Sequence, residues 1–115
     1  MNAAQIDFQQ LRIKHILYKS KVRSVLYGGT FDEAFFSHTG PVNFWFNDTG
    51  LPKYGHEPEM KKLADTHQDL NATALNLFKL YNTGNIDQAH DGLKTIESKS
   101  EYFLGVLAQL ESKLT

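Results

Sequence analysis

Three long stretches of the chain repeat apolar residues at alternating intervals of three and four. This spacing places side chains on one face of an α-helix, so each stretch predicts a long helix. The first runs from about Ala4 to Leu26, the second from Pro58 to about Tyr81, and the third from near Ile86 almost to the C-terminus. The stripe positions are Phe8, Leu11, His15, Tyr18, Val22 and Val25; Met60, Leu63, His67, Leu70, Ala74 and Leu77; and Ile86, Ala89, Leu93, Ile96, Ser100, Phe103, Leu107, Leu110 and Leu114.

The segment between the first two long helices predicts less regular structure. Thr30, with Glu33 three residues later, matches a helix start, so a short helix is expected from Phe31 to about Ser37. Residues 38–55 contain several turn-forming pairs and predict a long ordered loop. The fold class expected is therefore all-α: a four-helix bundle with a short extra helix and a long ordered loop between helix one and the third helix. With 115 residues, 41% of them apolar, the chain predicts one domain over residues 1–115.

Composition excludes several classes of protein. A formal charge of −1, without a cluster of Lys and Arg, disfavours a nucleic-acid partner. The chain has no cysteine, so it can form neither a disulfide framework nor a thiolate metal site. It also lacks a basic leader with an apolar run and any stretch of ~18 apolar residues, which predicts a cytoplasmic chain without a membrane partner.

His15 and His67 interrupt the first two stripes near the middle of their helices. A buried imidazole without a partner costs roughly 2 kcal/mol or more, so each needs a hydrogen bond or a metal ion. Two such residues predict a shared site, with Asn71 four residues after His67 pointing to the same neighbour. The ordinary alternative is that each is a core histidine bonded to a carbonyl or carboxylate group.

Several segments resemble the chemoreceptor zinc-binding domain, a bacterial four-helix module attached to chemoreceptors and diguanylate cyclases. Residues 15–19 (HILYK) resemble its His-x-x-Trp-Lys element, and residues 38–46 (HTGPVNFWF) resemble its Cys-x-x-Gly-x-Trp-Tyr region. Residues 51–54 (LPKY) resemble its Leu-Pro-x-Tyr stretch, and His67 to Asn71 resembles its His-x-x-x-His. Residues 96–100 (IESKS) are similar to the family's last helix, so the resemblance covers essentially the whole chain.

The resemblance implies a zinc site that has lost half of its ligands. The family holds zinc with three histidines and one cysteine; this chain keeps His15 and His67 but has Gly40 and Asn71 at the other two positions. If a binding energy of roughly 10–16 kcal/mol is shared evenly, two lost ligands remove on the order of 6 kcal/mol, some four decades of affinity. Zinc is therefore expected to bind weakly or not at all, with Asn71 and His38 as possible additional ligands.

The resemblance further implies a sensory or regulatory domain of bacterial signal transduction, of the chemoreceptor or diguanylate cyclase type, and not an enzyme. Its expected partners are a second copy, forming a homodimer, and signalling domains of the same or another protein. One alternative is a metal-dependent enzyme on a four-helix scaffold that uses His15, His67 and His38 around an open coordination position. Another is a plain helical dimerisation domain with relic histidines.

Three further expectations follow from the residues. Without a metal, burial favours the neutral imidazoles of the pair, so acidification is expected to force a charge into the core. His56 and His90 are interpreted as surface residues. The aromatic residues of the 31–46 region are expected to pack the loop onto the helices, with a ligand pocket as the alternative.

Overall fold

Three long helices frame the structure, a computed structural model that describes residues 2–115. They are α1 (Ala3–Leu26), α4 (Pro58–Asn82) and α6 (Leu93–Leu114), which confirms the all-α helical bundle predicted from the stripes. Shorter elements complete the chain: α2 (Pro41–Trp45), a π-helical turn (Phe46–Gly50), α3 (Leu51–Tyr54) and α5 (Ile86–Asp91). No helix in the described part of the chain combines the length and apolar character needed to cross a bilayer.

Local sequence signals explain where the long helices begin and end. The Asn2 side chain accepts a hydrogen bond from the backbone N–H of Gln5, whose side chain accepts from the backbone N–H of Asn2, so a reciprocal cap starts α1. After α1, Gly28 adopts a φ of +96°, a conformation that side-chain-bearing residues rarely take. Pro58 occupies the first turn of α4, where its missing N–H has no helical partner to lose.

The short helix expected at residues 31–37 is wrong, and so is the long ordered loop expected over residues 38–55. Thr30 does not act as a cap; instead Asp32 accepts from the backbone N–H of Phe35, and Ser37 donates to the carbonyl of Ala34, which closes the segment as consecutive turns. Residues 41–54 are almost entirely helical. The Gly and Pro residues of this segment do not form the predicted turns: Gly50 has an ordinary helical φ of −63°, and both prolines stand at helix starts.

The last predicted helix is interrupted at Gly92, between α5 and α6. A Cβ atom at residue 92 would lie less than 3.0 Å from a methyl carbon of Leu77, so glycine lets Leu77 of α4 pack closely on the chain there. Gly92 keeps a φ of −64° and a ψ of −15°, so the interruption is confined to one residue, and the apolar spacing that continues across it does not reveal it.

Ion pairs between the long helices fix their relative directions. Arg12 and Lys19 of α1 pair with Glu111 and Glu97 of α6, so residue numbers rise along one helix as they fall along the other. Lys99 and Lys113 of α6 pair with Asp69 and Glu59 of α4, so these two helices are antiparallel as well. Helices α1 and α4 consequently run parallel, and residues 27–57 form the return connection between them.

The return connection is held over the start of α1 by a buried carboxylate. Asp7 accepts hydrogen bonds from the Tyr54 hydroxyl at 2.7 Å and from the Lys53 ammonium at 3.2 Å. Burial, the hydrogen bond to Asp7 and its negative charge together raise the pKa of Tyr54 to about 12. The ring of Tyr54 also packs on Phe8, so polar and apolar contacts fasten α3 to α1.

Candidate functional site

His15 lies in the core between α1 and α6 and is inaccessible to solvent. Its Nε2 atom is 2.8 Å from the hydroxyl of Ser100, which is buried as well. Its ring stacks on Phe103, with 4.2 Å between ring centroids and 8° between ring planes. Ser100 therefore contacts the edge of the imidazole, and Phe103 covers one of its faces.

His67 lies on α4 and is buried by aromatic neighbours. The edge of Tyr18 meets its ring at a centroid distance of 4.9 Å, and Phe46 of the π-helical turn lies at 6.3 Å. Tyr18 follows His15 by less than one turn on the same face of α1, so it links the surroundings of the two imidazoles. The structure thus places both histidines in one interior region, on parallel helices.

Asn71, an expected additional ligand, is engaged by the protein itself. Its amide oxygen accepts from the Tyr18 hydroxyl at 2.6 Å, and its amide nitrogen donates to the carbonyl oxygen of Phe36 at 2.9 Å. Burial raises the pKa of Tyr18 above its ordinary value, so the hydroxyl stays protonated and donates. These two bonds tie α1, α4 and the 31–40 turns together beside His67.

The tie between Tyr18 and Asn71 can be measured by a double-mutant cycle. Each of Tyr18→Phe and Asn71→Ala is expected to lower the free energy of unfolding by about 1–3 kcal/mol, because each leaves a polar group without its partner. In the double variant the losses should be less than additive by roughly 1 kcal/mol, measured by urea unfolding at neutral pH. Strictly additive losses would show that the bond at 2.6 Å contributes nothing.

Each of the two histidines has a buried ring nitrogen without a partner. The Nδ1 atoms of His15 and His67 are buried and have no hydrogen-bond partner within residues 2–115. Burial, together with the positive charge of Lys19, lowers the pKa of His15 to about 4. Burial, together with the charge of His15, lowers the pKa of His67 to about 4. Both imidazoles are therefore neutral at pH 7, and charging one disfavours charging the other.

The donor set around this pair does not fit a closed zinc site. Zinc in structural sites takes four protein ligands, and the two free Nδ1 atoms supply two. Asn71 uses its amide oxygen for Tyr18, Gly40 has no side chain, and His38 is exposed to solvent in the turns. Within the described residues, no group of three or more His, Asp or Glu side chains is placed to share a metal ion.

His90 is a correction to the expectation of a surface residue. It is half-buried, and its Nε2 atom makes a hydrogen bond with the carbonyl oxygen of Leu26 at the end of α1. Its ring stacks on Tyr27, with 4.1 Å between the ring centroids. It therefore joins α5 to the end of α1. His56, by contrast, is exposed as expected.

The aromatic residues near residue 36 pack against each other and against the long helices. The ring centroid of Phe36 is 4.9 Å from that of Phe78 on α4 and 5.6 Å from that of Tyr18 on α1. The ring of Phe31 packs on both Phe36 and Phe78. This arrangement is core packing, the first of the two expectations for these residues.

Ser100 is the residue of this site that the sequence analysis missed. It stands in the α6 stripe and is the only polar residue there, which is the signal that could have identified it. A single hydroxyl among apolar neighbours needs a buried partner, and His15 is that partner.

Comparisons with known proteins add no relative. Neither models of protein families, nor characterised proteins, nor solved structures match this chain.

Proposed function

We propose that this chain is a cytoplasmic sensory or regulatory module of bacterial signal transduction that acts as a homodimer, with a zinc site reduced to two imidazoles. The observation that carries the proposal is the pair of buried Nδ1 atoms of His15 and His67. Each is desolvated without a compensating hydrogen bond inside the described chain, so each is free to bind a ligand. The resemblance of the surrounding segments to the chemoreceptor zinc-binding domain supports the same assignment.

The position of the pair suits a regulatory role. His15 contacts α6 through Ser100 and Phe103, while His67 contacts α1 through Tyr18 and the π-helical turn through Phe46. A change in what the two imidazoles bind therefore acts on all three long helices at once. Sensory modules need such a coupling between a site and the packing of helices.

Zinc titration of untagged protein, followed by amide NMR spectra, tests the proposal. We expect small shifts in fast exchange, centred on His15, His67 and Ser100, because a site with two protein ligands binds weakly. His67→Ala should abolish these shifts, whereas the matched control His56→Ala, which removes an exposed histidine, should keep them.

Other outcomes separate the alternatives. A folded chain that shows no response to zinc at the pair would contradict the reduced site and favour the plain helical dimerisation domain. Zinc-dependent hydrolysis of an ester or amide, lost in His38→Ala, would contradict the regulatory assignment and favour the metal-dependent enzyme.

A further inference from the structure

The outward face of α1 carries large apolar side chains that no other part of the described chain covers. Ile6 and Ile13 are seven residues apart and so lie along one line of the helix, and Ile16 and Leu17 continue the surface one turn further on. Ile13 is 66% exposed and Ile16 is 53% exposed. Single exposed apolar residues are ordinary, but four on one helix face mark an interaction surface.

Helix α6 lies beside α1 and extends this surface with small residues. Gly105 and Ala108 are exposed at about the level of Ile13, since Arg12 pairs with Glu111 and His15 meets Ser100 and Phe103. A Cβ atom at Gly105 would meet nothing within 4 Å, so packing inside the chain does not require glycine there. Glycine in the middle of a helix is unfavourable, and a close approach by another backbone is a reason to have it.

The charges that flank this surface differ between the two helices. Helix α1 carries five basic residues and one acidic residue, Asp7, whereas α6 carries three glutamates and three lysines. The five basic residues are Arg12, Lys14, Lys19, Lys21 and Arg23. Of the three glutamates, Glu97, Glu101 and Glu111, the first and last pair with Lys19 and Arg12 of the same chain. A contact of α1 with α1 of a second copy would set cations against cations, whereas α6 of that copy has equal numbers of cations and carboxylates and avoids this repulsion.

We propose that this surface, the outward face of α1 and α6, binds a second copy of the chain, with α1 of each protomer packed on α6 of its partner. A two-fold axis parallel to the helices produces this arrangement, since it exchanges the two sides of the face and keeps the helix directions. Ile13 then enters the space left by Gly105 and Ala108 of the second copy. This inference rests on the homodimer of the proposed function and assigns its interface.

The size of the surface is sufficient for a stable dimer. A helix of 24 residues is about 36 Å long and each helix is about 10 Å wide, so two adjacent helices offer roughly 700 Å² per partner. Specific interfaces bury about 800 Å² on each side, which is close to this area. Between the two helices the surface carries the Arg12–Glu111 and Lys19–Glu97 ion pairs, whose charges are already balanced within each chain.

Sedimentation of the purified chain tests the interface directly. The wild-type chain is expected to be a dimer, and Ile13→Glu is expected to weaken the dimer by at least about tenfold, because a carboxylate would be buried at the centre of the interface. Leu75→Glu replaces an exposed leucine on α4, outside this surface, and should leave the dimer unchanged. Circular dichroism establishes that both variants are folded.

Crosslinking tests the arrangement of the helices, since the chain has no native cysteine. A short bismaleimide should join Ile13→Cys chains to Gly105→Cys chains in a mixture and leave each variant alone largely unlinked. Efficient linking of Ile13→Cys to itself would overturn the arrangement, and a monomeric wild-type chain, or one that sediments with anionic vesicles only, would overturn the second copy as occupant. A monomer whose histidine pair still responds to zinc would overturn the interface and leave the regulatory proposal standing.

Discussion

Most of the free energy of unfolding is expected to be lost as the pH falls from 6.5 to about 4. The pKa of each buried histidine is lowered from 6.5 to about 4, so in this window the unfolded chain binds protons that the folded chain does not. Each histidine then contributes about 3 kcal/mol that is fully present above pH 6.5 and lost as the pH approaches 4. Two such contributions are comparable with the whole stability of a small domain.

Urea unfolding at pH 7.5, 6.5 and 5.5 measures this loss before most carboxylates titrate. His15→Gln combined with His67→Leu should remove most of the pH dependence, because Gln can still bond to Ser100 and Leu needs no partner. The matched control is His38→Gln combined with His56→Gln, which replaces two exposed histidines and should retain the wild-type dependence. The same slope in all three proteins would show that the buried pair does not set the response to acid.

Phe103→Ala is expected to destabilise the chain by about 3–5 kcal/mol. Phe103 is inaccessible to solvent, and its removal leaves a cavity against the ring of His15 that the helices can only partly close. Water entering the cavity would also solvate His15 and return its pKa toward 6.5, so the pH dependence of unfolding should become shallower.

The neighbouring Tyr102 gives a matched control for Phe103. Tyr102 is 54% exposed on the same helix, so Tyr102→Ala removes a ring of similar size without opening a core cavity. Its effect should stay below about 1 kcal/mol. If the two variants lose equal stability, or if Phe103→Ala keeps the full dependence on pH, the packing of His15 on Phe103 is not important for the state of the imidazole.

The long helices could be predicted from sequence because one burial pattern repeats along each of them. Between residues 31 and 54 the rule fails, since Gly50 and the prolines are compatible with both turns and helices and only tertiary contacts decide. The close packing at Gly92 could not be predicted for the same reason: its neighbour Leu77 is fifteen residues away on another helix.

The location of the histidine pair in the core followed from the stripes, but the bonding around it did not. Asn71 shares a helix face with His67, which suggested a metal ligand, yet its amide group forms hydrogen bonds with Tyr18 and Phe36. These partners lie on other segments of the chain, and the sequence does not show that they are close to Asn71. Ser100 could have been identified as the exception in its stripe. The sensory role and the zinc site stay predictions, since no related protein bears on them.

Helices α1 and α6 serve two sides of the molecule with the same pair of backbones. Inward they contact His15, through Ser100 and Phe103 of α6; outward, Ile16 lies one residue after His15 and Gly105 lies two residues after Phe103, and both are exposed. A helix is a stiff rod, so any roll of α1 that repositions His15 must also move Ile16. A change that moves the imidazole therefore also moves the outward face of α1 directly, without a chain of intermediate residues. The contact of His15 with α6 and the outward face are mechanically coupled through one helix.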